Sequence, residues 1–244
     1  MESDSIRVKI RLFVEQPLGE GQVIALSGAQ THYLINVMRK AVGTPVALFN
    51  GQDGEWLAEL TATPKRGARA LCKTQTAPQR LPPDLWLLFA PIKKARTDFI
   101  VEKAAELGAA RILPVQTDFT NADRIRQDRL QAHAIEAAEQ CGGTFVPEVA
   151  PLTPLSRLLA DWPIGRALIW GDEALVEAPQ SAPLPPAPAA ILIGPEGGFS
   201  DPERSRLRAM AAAHPMSLGP RILRADTAAV AALTLWQAAR GDWQ

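Results

Sequence analysis

The chain has little of what metal and redox sites are built from: 2 cysteines and 3 histidines in 244 residues. Cys72 and Cys141 lie far apart and in no metal or redox spacing, so they read as reduced thiols of a cytoplasmic protein. His32, His133 and His214 are scattered and form no metal set. Long apolar runs are missing as well. Nothing approaches the roughly 20 residues of a membrane helix, and residues 1–11 lack the apolar stretch of a secretory leader. Net charge is absent: 26 Lys+Arg stand against 26 Asp+Glu, so no global field draws in nucleic acid. Local basic patches stay open. There is no Walker loop, no Gly-x-Gly-x-x-Gly fingerprint at a first strand–helix turn, and no Ser-His-Asp order. These absences argue against nucleoside triphosphate, Rossmann cofactor and serine-hydrolase chemistry.

What remains is an ordinary globular composition, 47% hydrophobic and 21% charged, in a length that fits one large or two modest domains. Residues 1–76 read as a small β-rich, barrel-like domain. Strands are expected over 6–14, 22–26, 45–49, 55–61 and 69–76, with one helix over 29–39 and a glycine-rich hairpin turn at Asn50-Gly51-Gln52-Asp53-Gly54. Residues 77–84 are linker-like, with Pro78, Pro82 and Pro83. From 85 to 244 the pattern alternates strand and helix, which predicts an α/β domain with a mostly parallel sheet covered on both faces. Its strands are expected over 85–90, 111–115, 167–170, 191–194 and 216–218. Its helices are expected over 97–107, 128–140, 153–160, from 200 onward, and over 227–239. Ser200 with Glu203 forms a capping box, and Pro202 sits in the first turn.

Two glycine turns follow apolar strands late in this domain: Gly194-Pro195-Glu196-Gly197-Gly198-Phe199-Ser200 and Leu218-Gly219-Pro220-Arg221-Ile222-Leu223-Arg224-Ala225-Asp226-Thr227-Ala228. Glycine lets a ligand reach the backbone, and turns at the carboxyl ends of parallel strands are ligand sites. Together the turns resemble the signature of the ribosomal RNA small-subunit methyltransferase E family, the uridine N3-methyltransferases of 16S rRNA in the SPOUT superfamily. The resemblance extends upstream. Arg11-Leu12-Phe13, His32-Tyr33-Leu34 with Val37-Met38-Arg39, Lys93-Lys94 with Glu102 to Gly108, and Glu136 to Gln140 are similar to family elements. Three positions depart from the pattern. Asp118-Phe119 stands where the family shows Glu-Arg, Gly142-Gly143 replaces an arginine-bearing stretch, and Asp226 replaces glutamate.

The resemblance implies a C-terminal SPOUT domain with a deep trefoil knot and an N-terminal PUA-like barrel. It implies S-adenosyl-L-methionine as cofactor, 16S rRNA or the small ribosomal subunit as partner, and a homodimer, with no metal and no membrane. The cofactor would lie against Trp170, Gly171 and Glu173, against Gly194, Pro195, Glu196, Gly197 and Gly198, and against Leu218, Gly219, Ile222, Leu223 and Thr227. For Glu196 a loop-bracing role stands equally. Arg224 is expected to stabilise or orient the uracil, and Asp226 to orient Arg224 or help remove the N3 proton. A structural ion pair of these two at a helix start is the other reading. Arg7, Arg11, Arg39, Lys93 and Lys94 are expected on the RNA side, although residues 1–78 hold only nine basic against seven acidic residues. Two rivals remain: methylation of a ribose 2′-O or another RNA position, and a non-catalytic RNA-binding adaptor. Leu233 and Trp236 share a face of the last helix and suit either a dimer interface or the core.

Overall fold

The computed structural model describes residues 8–62, 67–122, 124–175 and 183–244. The chain forms two compact units, Met1–Leu81 with Ala138–Phe145, and Pro82–Ala137 with Val146–Gln244. The 138–145 piece, left in the second domain by the sequence pattern, joins the first unit through contacts distant in sequence.

The first unit carries a five-stranded sheet in the order β1-β3-β4-β5-β2. Its strands are β1 (Arg11–Phe13), β2 (Val23–Ala25), β3 (Pro45–Phe49), β4 (Glu55–Ala62) and β5 (Arg69–Ala77). β1 and β3 are parallel and the other pairings antiparallel. Alternate residues of these strands, among them Leu12, Ile24, Val46, Leu48, Ala58, Leu60, Ala70 and Cys72, close one apolar cluster with Leu34. At the hairpin, Asn50 Oδ1 accepts the N–H groups of Gln52 and Asp53 at 3.0 and 2.8 Å. The Leu18 N–H and the Asn50 amide in turn hold the Asp53 carboxyl below its usual range.

Two expectations change here. The strand expected over 6–14 is only Arg11–Phe13, and Arg7 lies outside the described residues. The helix expected over 29–39 is α1 (Gly28–His32), capped by a Ser27–Gln30 box, followed by a π-helical turn over Tyr33–Val37. No glycine follows that turn, and Arg39 itself takes φ +53.

The second unit is built on a parallel sheet in the order β12-β10-β11-β6-β7-β8, with β9 paired to β7. The strands are β6 (Leu85–Phe89), β7 (Arg111–Gln116), β8 (Glu148–Val149), β9 (Thr153–Pro154), β10 (Ala167–Gly171), β11 (Ala189–Ile193) and β12 (Ala213–Met216). Every pairing is parallel. The helices are α2 (Lys94–Glu106), α3 (Gln127–Cys141), α4 (Leu155–Ala160), α5 (Asp201–Ala209) and α6 (Ala225–Arg240). Alternation sends Leu85, Leu87, Phe89, Ile191 and Ile193 to one face, against Ile100, Val101 and Ala104 of α2 and Leu233 and Trp236 of α6. Leu88, Trp170, Ala190 and Leu192 face the other way, with Leu155 and Leu207. A sheet with both faces covered is the reason its strands read as continuous apolar runs.

Leu233 and Trp236 are fully buried in this core, so they offer nothing to a second copy. The Trp236 indole N–H donates to Pro185 O at 3.0 Å, and buried Gln237 donates to Leu107 O at 2.7 Å, closing the end of α2. The strand expected over 216–218 ends instead at Met216. Pro215 is tolerated in it because β12 is an edge strand, and Leu218 already belongs to the turn. Among the described residues no helix is long and apolar enough to cross a membrane.

Candidate active site

In a parallel sheet all strands end on one edge, and that edge collects the chemistry-bearing turns. Three adjacent strands, β12, β10 and β11, release their turns there. Together these turns wall a cavity of about 300 Å³, at the lower end of the roughly 300–1,000 Å³ that holds small-molecule ligands. Gly171, Asp172 and Glu173 come from the first turn, Gly194 to Gly198 from the second, and Leu218, Gly219, Arg221, Ile222 and Leu223 from the third. Arg204 of α5 and Ala225 and Ala228 of α6 complete the lining.

The glycines stand where neighbours approach closely. Gly198 has φ +68, and a Cβ there would overlap the Glu173 carboxylate. A Cβ at Gly194 would sit 3.1 Å from the Phe199 ring, and one at Gly197 would sit 3.3 Å from Phe119 Cβ. Arg204 then ties two turns together. It donates from Nη1 to Asp172 at 3.0 Å, from Nη2 to Glu173 at 2.8 Å and from Nε to Phe199 O at 2.9 Å. Arg208 adds a second cation to buried Asp172 at 3.0 Å. The capping box closes as expected: Ser200 N donates to Glu203 Oε2 at 2.9 Å, and Ser200 Oγ accepts from the Glu203 N–H.

Most expected cofactor contacts line the cavity, but Trp170 and Thr227 do not. The Trp170 side chain is buried in the core, edge-on to Phe199 at 5.8 Å, because alternation in β10 turns it into the sheet face. Thr227 is exposed, one residue before the lining Ala228.

The pairing expected between Asp226 and Arg224 is not found. Asp226, whose side chain is 10% exposed, is bound by Arg96 Nη1 from the first turn of α2. Arg224 is the N-cap residue of α6, is exposed, and makes no side-chain hydrogen bond or ion pair among the described residues. The packing of α2 against α6 brings Arg96 to the Asp226 carboxylate, 130 residues away in the chain.

Of the expected RNA contacts, Lys93 and Lys94 are exposed at the start of α2, on the same sheet edge. Lys94 also lines a cleft with Arg124, Arg126 and Arg129; Arg126 pairs with Asp128, and Arg129 with Asp98. Arg39 is exposed in the first unit. Arg11 is differently placed. Its guanidinium is 13% exposed, pairs with Glu55 at 2.6 Å, donates to the carbonyls of Ala138, Glu139 and Gly143, and stacks on Phe49. With those donors engaged inside its own unit, Arg11 braces the fold in this structure rather than presenting a cation.

Sequence reasoning placed Asp172 and Arg221 inside the expected cofactor loops without giving either side chain a role, and it singled out neither Arg204 at the cavity nor Arg96 as the partner of Asp226. Asp172 had a signal, since it follows a glycine at the end of an apolar strand. Arg204 had none: its partners lie 5, 31 and 32 residues away. Among the described residues no group of three or more His, Cys, Asp or Glu side chains is placed to hold a metal ion.

The fold and the glycine-walled cavity have known counterparts. Residues 79–237 match the family described as RNA methyltransferase domain, and residues 26–71 match the RNA methyltransferase PUA domain. A ribosomal RNA small subunit methyltransferase E from Synechocystis sp. is 31% identical over 238 residues, covering 95% of this chain and 78% of that protein. A methyltransferase from Legionella pneumophila, solved with bound cofactor SAM, superposes with a TM-score of 0.87 at 30% identity, covering 96% of this chain and 98% of its own. Ribosomal RNA small subunit methyltransferase E from Neisseria gonorrhoeae, bound to S-adenosyl methionine, gives a TM-score of 0.87 at 27% identity, over 96% and 99% of the two chains. The chain belongs to the ribosomal RNA small subunit methyltransferase E family.

Proposed function

We propose that this protein methylates N3 of a uridine in the 16S rRNA of the small ribosomal subunit, with S-adenosyl-L-methionine as methyl donor. The observation that carries the reading is the cavity walled by three turns, with unpaired Arg224 in the chain between lining residues Leu223 and Ala225. The residues fit such a cofactor. Glycines at 171, 194, 197, 198 and 219 bring the backbone to the cavity wall, and Gly219 has open space where a side chain would stand, which suits recognition of an adenine edge by main-chain groups. Leu218, Ile222 and Leu223 supply an apolar wall. Glu196 lines the cavity, is exposed and has no partner among the described residues, which suits a cationic ligand.

When bound, S-adenosylmethionine supplies an electrophilic methyl on a sulfonium. The chain's part is to orient the base and manage one proton. Uracil N3 is a poor nucleophile while protonated, so its proton must pass to solvent water at this exposed site as the methyl approaches. Arg224 donates to a uracil oxygen, where negative charge develops as N3 loses its proton. Asp226 acts on Arg224 indirectly: held by Arg96, it fixes the first turn of α6 and so the place of the residue that caps it. Lys93, Lys94 and Arg39 contact phosphates, and Arg7 belongs to the same reading. The protein works as a cytoplasmic homodimer in which the three turns form the knotted part of the fold.

Two measurements test this. Titration calorimetry is expected to show S-adenosylmethionine binding; no binding at millimolar cofactor overturns the catalytic reading. Incubation with small subunits from a strain lacking the enzyme is expected to yield N3-methyluridine by nucleoside mass spectrometry. A 2′-O-methylated product instead would replace the assigned acceptor atom.

A further inference from the structure

The turn after β7, residues 117–120, is held more firmly than its surface position requires. Thr117 N donates to Thr120 Oγ1 at 2.9 Å, the two hydroxyls lie 2.8 Å apart, and Thr120 N donates to Thr117 O at 3.1 Å. Asp118 is bound to the start of α5 twice, its N–H donating to Glu203 Oε1 at 3.0 Å and its carboxylate accepting from Ser200 Oγ at 2.5 Å. A turn pinned at both ends thus holds out a phenylalanine: Phe119 is 48% exposed. One side of Phe119 covers Gly197, a lining residue of the cavity, so closely that a Cβ there would sit 3.3 Å from Phe119 Cβ. Beside this turn opens a second cleft of about 520 Å³, lined by Thr117, Asp118, Thr120, Glu203 and Arg206 among others. Arg206 is exposed and makes no hydrogen bond or ion pair among the described residues. The two carboxylates of the cleft, Asp118 and Glu203, are engaged in the cap of α5.

We propose that Phe119 is a stacking platform for an unpaired base of the RNA, and that Arg206 takes the adjoining phosphate, so that together they position the target strand at the mouth of the cavity. A base that reacts at N3 must leave its helix, because that atom is covered by pairing. The unstacked strand then needs a flat apolar surface, and an aromatic ring at a fixed place serves any base. A rigid turn makes such a ring effective, because no loop is ordered on binding. An arginine in the cleft beside the same turn adds the sequence-independent contact to the backbone. Phe119 and Arg206 are positioning residues here, and their role rests on the methyltransferase reading above.

The test uses the full chain with small ribosomal subunits from a strain lacking the enzyme. KM for the subunits, kcat and the calorimetric Kd for S-adenosylmethionine are measured for wild type and variants. Phe119→Ala is expected to raise KM about tenfold or more, the loss of one base–aromatic stack, with cofactor Kd unchanged within about twofold. Phe119→Trp and Phe119→Tyr are expected to keep KM near wild type. Phe119→Leu, which still covers Gly197 but has no aromatic face, is expected to behave as alanine. Arg206→Ala is expected to lower the slope of log affinity against log salt by about 0.7, one phosphate contact to a single strand. A wild-type KM in the leucine or alanine variant, or an unchanged salt slope, overturns the proposal while wild-type turnover leaves the methyltransferase reading standing. Absence of wild-type turnover overturns both.

Discussion

The two glycine turns look alike in sequence and are held very differently. The turn at 194–200 is gripped from every side. Glu173 lies under Gly198, Phe119 over Gly197, Phe199 is buried beside Trp170, and Ser200 caps α5. The turn at 217–224 is held differently: the Ser217 hydroxyl donates to Leu175 O at 2.9 Å, Leu218 and Leu223 pack against the core, and the start of α6 closes it. Arg221, Ile222 and Arg224 are all exposed on it. One wall of the cavity is therefore locked by close side-chain contacts, and the other presents exposed side chains to a ligand. A preorganised wall lowers the ordering cost of binding, whereas a free arginine can meet a substrate that arrives later.

Four substitutions break or sharpen this contrast. The largest effect is expected from Arg224→Ala on the open turn: kcat falls by about 100-fold, as for loss of one donor to a developing negative charge, while calorimetric cofactor Kd stays within about twofold. Near-normal turnover would remove Arg224 from the chemistry. Gly198→Ala attacks the gripped turn. A left-handed alanine costs roughly 1–2 kcal/mol, and its Cβ must also displace Glu173 from Arg204, so cofactor Kd is expected to rise about tenfold or more. Asp226→Asn removes the charge that Arg96 holds. Arg96 is 41% exposed, so the loss is expected at only about 1–2 kcal/mol by urea unfolding, with kcat lowered less than in Arg224→Ala. An equal loss of kcat would show that Asp226 itself handles the proton. Gly219→Ala is the mildest. Gly219 has φ +95, but nothing lies within 4 Å of a Cβ there, so only backbone strain of about 1 kcal/mol is expected, a Tm drop of roughly 2–4 °C. If Gly219→Ala proved as damaging to cofactor binding as Gly198→Ala, the two walls would not differ as described.

The path from residues to site was legible to an uneven depth. Both turns, the strands that feed them and the capping box at Ser200 stand in the chain as local patterns, and local patterns survive folding when no long-range contact opposes them. The extents were less legible. The strand expected over 6–14 shrank to three residues, and helix 29–39 became a short helix with a π turn. Alternation and apolar spacing continue past the point where a partner strand or a hydrogen-bond register ends.

Charge pairing was the least legible feature. Arg11 and Arg224 both read as cations available to RNA, yet one is enclosed by Glu55, Phe49 and three carbonyls and the other is open. Asp226 stands two residues from Arg224 in the chain but is bound by Arg96, 130 residues away. Glu173 stands beside the turn after β10, yet its carboxylate fills the space that a side chain at 198 would need.

By itself the sequence determined the order of the longer strands and helices, though not the short strands β8 and β9, together with the glycines after β11 and β12 and the residue types that a cationic cofactor and a weakly acidic base require. Those features depend on neighbours in the chain: alternation, capping and backbone freedom act over a few residues. Only the tertiary structure decided that three turns converge on one cavity, that Glu173 and Phe119 press against the glycine turn, and that Arg96 takes Asp226 while Arg224 has no partner among the described residues. Each of those joins segments far apart in the chain, and which charge meets which is set by the packing of helices on the sheet, a geometry that no local pattern contains.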